Sequence, residues 1–170
     1  MTDPEAAPAG AITGARVLAL IGAAGATLAL SLPWVRELDP VKAGSAEVST
    51  GDDVVWIGWT LGGAGRLDGH RPVPLIGAVL LVAGTLALLA GCWLAFEREQ
   101  RWLALTTAGL AAVLLLASFP LLSGVPGRYG LGHPAARDFG VLAWRTAIFL
   151  TLLGTLRIGV LREEAARATR

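Results

Sequence analysis

Cysteine occurs once in the 170 residues, at Cys92, so the chain can form no internal disulfide and cannot run dithiol exchange. Lysine also occurs once, at Lys42, against thirteen arginines. Charge of either sign is scarce: 16% of the residues are charged, where an ordinary soluble domain carries about 25%. The net charge of +1 gives no global attraction to nucleic acid or to a strongly acidic partner. No His, Asp or Glu lies inside the long apolar runs; Asp138 stands at the boundary of one. A proton-coupled transporter usually needs a carboxylate within the membrane, and a buried haem usually needs an axial histidine. The two histidines, His70 and His133, have Asp68 and Asp138 nearby but not the tight spacing of a metal site. The glycine-rich TLGGAGR lacks the Lys-Ser/Thr of a P-loop and reads as a flexible turn. No nucleophile–base pair is visible either. The expectation is therefore no catalytic residue, no metal and no cofactor.

What the chain has is apolar length. Hydrophobic residues make up 54% of it, and four runs of spanning length stand out: 17–35, 75–96, 102–122 and 139–160. Only the last contains charge, at Arg145 and Arg157. Backbone groups in lipid must be bonded internally, so these runs must be helices. The first is too long for a signal-peptide core and is preceded by one basic residue, Arg16. A tail over 1–16, a loop over 36–74 and a tail over 161–170 complete the division. The abundance of Arg, Ala, Gly and Leu points to a GC-rich bacterial genome.

Orientation follows from arginine density. With the N-terminus inside, short inner segments hold Arg16, Arg98, Arg101, Arg162, Arg167 and Arg170. Arg36, Lys42, Arg66, Arg71, Arg128 and Arg137 are spread over much longer outer loops. This predicts a multi-pass protein of the inner membrane with both termini cytoplasmic. The short turn FEREQRW makes the second and third spans an antiparallel hairpin. Trp34 and Trp144 near the outer ends, and Trp93 and Trp102 near the inner ends, are expected to form interfacial belts.

Small residues suggest where the helices meet. Gly77, Gly84 and Gly91 recur every seven residues, and Gly22, Gly25 and Ala29 follow at spacings of three and four. These are read as packing seams within the chain, with a homo-oligomer or partner seam as the alternative. Ser31-Leu32-Pro33 and Ser118-Phe119-Pro120 read as two helix terminators, or as the trace of a duplicated two-helix unit.

The stretch VVWIGWTLGGAG, residues 54–65, is apolar yet too short to cross: as helix it would be about 18 Å long, against a hydrocarbon core of about 30 Å. Alternation over 46–49, a turn over 50–53 and the β-branched and aromatic run 54–57 predict a hairpin. This hairpin would lie over the outer end of the bundle, seated by Trp56 and Trp59. The first span ends in LPWV, a polar segment with Trp56 and Trp59 follows, and three more spans complete the chain. In these features it resembles small four-span membrane proteins common in actinobacteria, including a group encoded beside tryptophan-biosynthesis genes. The topology is similar to that of claudins as well, although their paired loop cysteines have no counterpart here. Neither resemblance implies a catalytic residue.

Arg145 is the polar residue to watch. It can snorkel to outer headgroups, pair with Asp138, Asp52 or Asp53, or receive an anionic ligand or lipid phosphate. The expected fold is an all-α membrane protein: a four-helix transmembrane bundle with a small extracytoplasmic β-hairpin cap between helices 1 and 2. The expected function is a non-enzymatic scaffold or accessory subunit. Its partners would be the lipid bilayer and a membrane protein or a second copy, with Trp56, Trp59 and Arg145 as contact residues. The alternative is a small transporter or lipid- or anion-binding protein using a cleft near Arg145.

Overall fold

The computed structural model describes residues 6–37, 54–63, 75–97, 101–122 and 135–168. Four helices account for most of them: α1 (Ala6–Ala29), α2 (Leu75–Glu97), α3 (Arg101–Leu121) and α4 (Phe139–Ala168). All four are long and apolar enough to cross a membrane, over Gly10–Ala29, Leu75–Ala95, Trp102–Leu121 and Phe139–Glu164. Chain neighbours pack together and α4 closes against α1, which makes an up-down-up-down ring. The outward faces are apolar: Ile76, Leu28 and Leu142 are at least 70% exposed. A water-soluble bundle would turn such residues inward. The architecture fits a multi-pass integral membrane protein.

The first span is shorter at one end than its hydropathy implied. Trp34 and Val35 are not helical but belong to a strand. The cause is Pro33, which has no N–H to donate and disfavours helical backbone in the residue before it. The last turn of α1 tightens instead, with Leu30, Ser31 and Leu32 donating to the carbonyls of Thr27, Leu28 and Ala29 at 3.2, 2.9 and 3.1 Å. At the other extremes, α1 starts at Ala6 and α4 runs to Ala168, so the terminal tails are largely helical.

The chain is mostly helical, and the cap expected as a hairpin is a small antiparallel sheet with a third strand. Strands β1 (Pro33–Glu37), β2 (Val54–Ile57) and β3 (Ala135–Arg137) lie in the order β2-β1-β3. The strand read at 54–57 is present, and it pairs with β1. The strand read at 46–49 and the turn at 50–53 lie outside the described residues. The third strand comes from the segment before α4, where Ala-Ala-Arg carries no β-propensity.

Two helix contacts depend on glycine. A Cβ on Gly22 of α1 would lie 2.6 Å from the Thr151 nitrogen and 2.8 Å from the Ala147 oxygen of α4. One on Gly154 of α4 would lie 2.6 Å from the Ala19 nitrogen and 2.8 Å from the Ala15 oxygen. Backbone therefore touches backbone along α1 and α4, the close approach that small residues permit. Gly25 faces Ala147 at 3.5 Å, an ordinary contact. Between α2 and α3, Gly77, Gly84 and Gly91 face Leu121, Leu114 and Thr107, so both helices step by seven residues in opposite directions. Buried hydroxyls are satisfied inside their own helices. Thr85, Thr107, Thr151 and Thr155 donate to carbonyls four residues back at 2.8, 2.6, 3.0 and 2.8 Å.

Candidate functional site

The sheet sits at one end of the bundle, and the sequence's unusual residues gather there. Trp34, on the central strand, is fully buried. Its Nε1 donates to the Ala29 carbonyl at 2.8 Å, so this acceptor at the end of α1 takes both the indole and the Leu32 amide. Its ring meets Trp144 of α4 edge-on, with centroids 5.6 Å apart. Trp144 is also fully buried, and its Nε1 donates to Thr85 Oγ1 of α2 at 3.1 Å. Thr85 in turn donates to the Leu81 carbonyl, so this chain of hydrogen bonds links α4 to the helix diagonally across the ring. The belt expectation for Trp34 and Trp144 is therefore corrected: both fill the core. Trp93 and Trp102 remain exposed, near the α2–α3 turn.

The apolar stretch 54–65 is partly strand and partly a 3-10 helix, Gly58–Gly63. Gly58 is pressed against α1's end, where a Cβ would come within 2.8 Å of Leu30 Cα. From there the Trp59 amide donates to the Leu30 carbonyl at 3.3 Å, and its indole donates to Ser31 Oγ at 3.1 Å. Leu61 plugs into the core. The two tryptophans therefore differ. Trp56 packs inward with a buried Nε1 that has no hydrogen-bond partner, whereas Trp59 keeps an exposed face on the rim.

The arginines divide in a way sequence did not foresee. Asp138 pairs with Arg36 of β1, accepting from its Nη2 at 2.9 Å and its Nε at 3.2 Å. Its other oxygen accepts from the Phe139 amide at 2.7 Å, at the start of α4. Arg145 consequently does not pair with Asp138; Asp52 and Asp53 lie outside the described residues. Arg145 donates from Nε to Ser118 Oγ and from Nη2 to the Ser118 carbonyl, both at 3.0 Å. Its guanidinium lies 4.0 Å from the centre of the Phe119 ring. A cation thus rests on the last turn of α3, where helix carbonyls are short of donors. Pro120 sits in that turn, and the Leu122 amide reaches the Ser118 carbonyl only at 3.4 Å.

Arg137, at the end of β3, carries a buried Nε without a hydrogen-bond partner. Nothing in its local sequence marked it out. Cys92 is buried beside Ala19 and Ala23. His70 and His133 lie outside the described residues. Among the described residues, no three His, Cys, Asp or Glu side chains gather to hold a metal.

Comparison with protein families, curated proteins and solved structures finds no match to this chain. The resemblance carried by LPWV, Trp56 and Trp59 accordingly rests on those residues alone.

Proposed function

We propose that this protein is a non-enzymatic scaffold or accessory subunit of the bacterial inner membrane. Both termini are cytoplasmic, and the β-capped end faces outward and contacts another envelope protein. The observation that carries this reading is the Trp34–Trp144 plug. Two indoles fill the interior beneath the sheet and have their N–H groups satisfied by Ala29 and Thr85. A core locked in this way favours a fixed platform over a moving gate. Ser118's engagement of Arg145 supports the same reading over a transport cleft. Trp59, exposed on the rim, is the contact residue the cap offers.

The test is a photoreactive residue placed at position 59 in intact cells, with position 28 on the lipid-facing side of α1 as control. Position 59 is expected to yield a discrete protein adduct and position 28 none. Adducts at neither position would remove the partner from the cap and refute the scaffold role.

Orientation has its own measurement. Thr60→Cys in a Cys92→Ala background is expected to react with an impermeant thiol reagent on intact cells. Labelling seen only after the inner face is exposed would turn the cap toward the cytoplasm.

A further inference from the structure

The fourth span carries two cations, and the fold treats them differently. Arg145 is tied to Ser118 by two hydrogen bonds. Arg157 is exposed, and among the described residues it has no hydrogen-bond or ion-pair partner. Glu164, the exposed carboxylate on the same helix, stands seven residues, about 10 Å, further along. Arg157 lies within Phe139–Glu164, the part of α4 apolar enough to cross a membrane. The exposed Leu153, Leu156 and Val160 flank it on the outward face, so lipid surrounds it. A guanidinium without an acceptor is costly in such surroundings.

Packing contacts fix its depth. Gly159 of α4 stands against Leu105 of α3, where an added Cβ would lie 3.3 Å from Leu105 Cδ2. The two helices are antiparallel, so Trp102 comes level with Arg162. Arg157 is therefore about 7.5 Å from Trp102 along the bundle, on the hydrocarbon side. Trp93 and Trp102 are exposed beside the α2–α3 turn, where indoles mark the boundary between lipid tails and headgroups. From this depth a long side chain can bend to the headgroups. Cα–Cβ bonds lean toward the N-terminus of a helix, which on α4 is away from that boundary. Arg157 must bend back, and gains less water than an arginine leaning outward would. The α1–α4 register, in which Gly154 stands between Ala15 and Ala19, brings Gly14 to the same depth. A Cβ on Gly14 would meet nothing within 4 Å, so the surface of α1 is open there.

We propose that Arg157 binds the phosphate of an acidic phospholipid in the leaflet at the α2–α3 turn, with Leu153, Leu156 and Val160 against the acyl chains. A phosphate oxygen supplies the acceptor that Arg157 lacks. An acidic headgroup carries no cation of its own, so its charge is left for the guanidinium. A carboxylate on a partner helix could answer the same charge, but the short distance to the headgroups favours lipid. The site rests on the membrane reading and needs no protein partner on the cap.

Native mass spectrometry and thermal melting of the full chain in mild detergent test this, using phosphatidylglycerol, phosphatidylcholine and inorganic phosphate as probes. Wild type is expected to retain phosphatidylglycerol in preference to phosphatidylcholine and to melt higher with it. Arg157→Gln is expected to weaken that retention by about tenfold or more, the loss of one charge-assisted contact. Because Arg157 is exposed and unpaired, the variant should melt with wild type when no lipid is added, which separates lost binding from lost fold. Arg157→Lys keeps the charge and should keep part of the preference. Equal retention of phosphatidylglycerol by wild type and Arg157→Gln overturns the proposal, as does a wild type with no preference between the lipids. Stabilisation by inorganic phosphate and not by phosphatidylglycerol overturns the lipid source. A discrete protein adduct from a photoreactive residue at position 156 in intact cells overturns it too, since a partner helix would then cover the cation. Crosslinking from position 59 is independent of these results, so the scaffold role and the lipid site can fail separately.

Discussion

Trp34→Ala is expected to cost about 3–5 kcal/mol of stability, the range for removing a fully buried large aromatic. The ring has no exposed surface, and three things depend on it. It fills the space beneath the sheet, supplies the edge-on partner of Trp144, and gives the Ala29 carbonyl a second donor where α1 ends. Trp34→Phe separates these contributions. It keeps most of the packing and removes the indole donor, so its loss is expected to be about 1 kcal/mol. A double-mutant cycle with Trp144→Ala should give a coupling of about 0.5–1.5 kcal/mol, because the rings touch. The measurement is reversible unfolding in detergent, followed by circular dichroism. If Trp34→Ala melts with wild type, the indole is not in the core, and the belt position at the interface regains its standing.

Gly22→Ala is expected to destabilise by about 1–3 kcal/mol although it adds a single methyl. The methyl would meet the Thr151 nitrogen at 2.6 Å and the Ala147 oxygen at 2.8 Å. Backbone cannot rotate aside, so α1 and α4 must separate along their length. Gly25→Ala, one turn away, meets only the Ala147 methyl at 3.5 Å and should stay within about 0.5 kcal/mol of wild type. Gly84→Ala should fall between them, because its obstacle at 2.6 Å is the end of the Leu114 side chain, which has other rotamers. Melting temperatures of the three variants in one detergent would rank them. Equal values for Gly22→Ala and Gly25→Ala would show that α1 and α4 are not in backbone contact.

The ranking exposes a limit of reading seams from sequence. The regular repeat at Gly77, Gly84 and Gly91 drew attention, yet its glycines face side chains. Gly154, which belongs to no short repeat, sits against backbone. Spacing indicates that a helix face is small; it does not say how near the opposing backbone comes.

The number and approximate position of the helices were legible in the sequence, because apolar runs of that length have one stable backbone solution in lipid. The strand at Val54–Ile57 was legible too, since β-branched and aromatic residues cluster there. Even the end of α1 was marked, by Pro33, although hydropathy carried the span through to Val35. The tertiary structure alone decided what the polar tips of the large side chains do. An indole or a guanidinium is half apolar and half polar, so it suits an interface and a satisfied core equally well. The choice falls to whichever acceptor the fold brings near. For Trp34 that is the carbonyl of Ala29 at the end of α1, for Trp144 the hydroxyl of Thr85, and for Arg145 the last turn of α3 at Ser118. Asp138 stood seven residues from Arg145 but paired instead with Arg36, 102 residues away in sequence. Sheet pairing set β1 beside β3 and put that arginine first in reach.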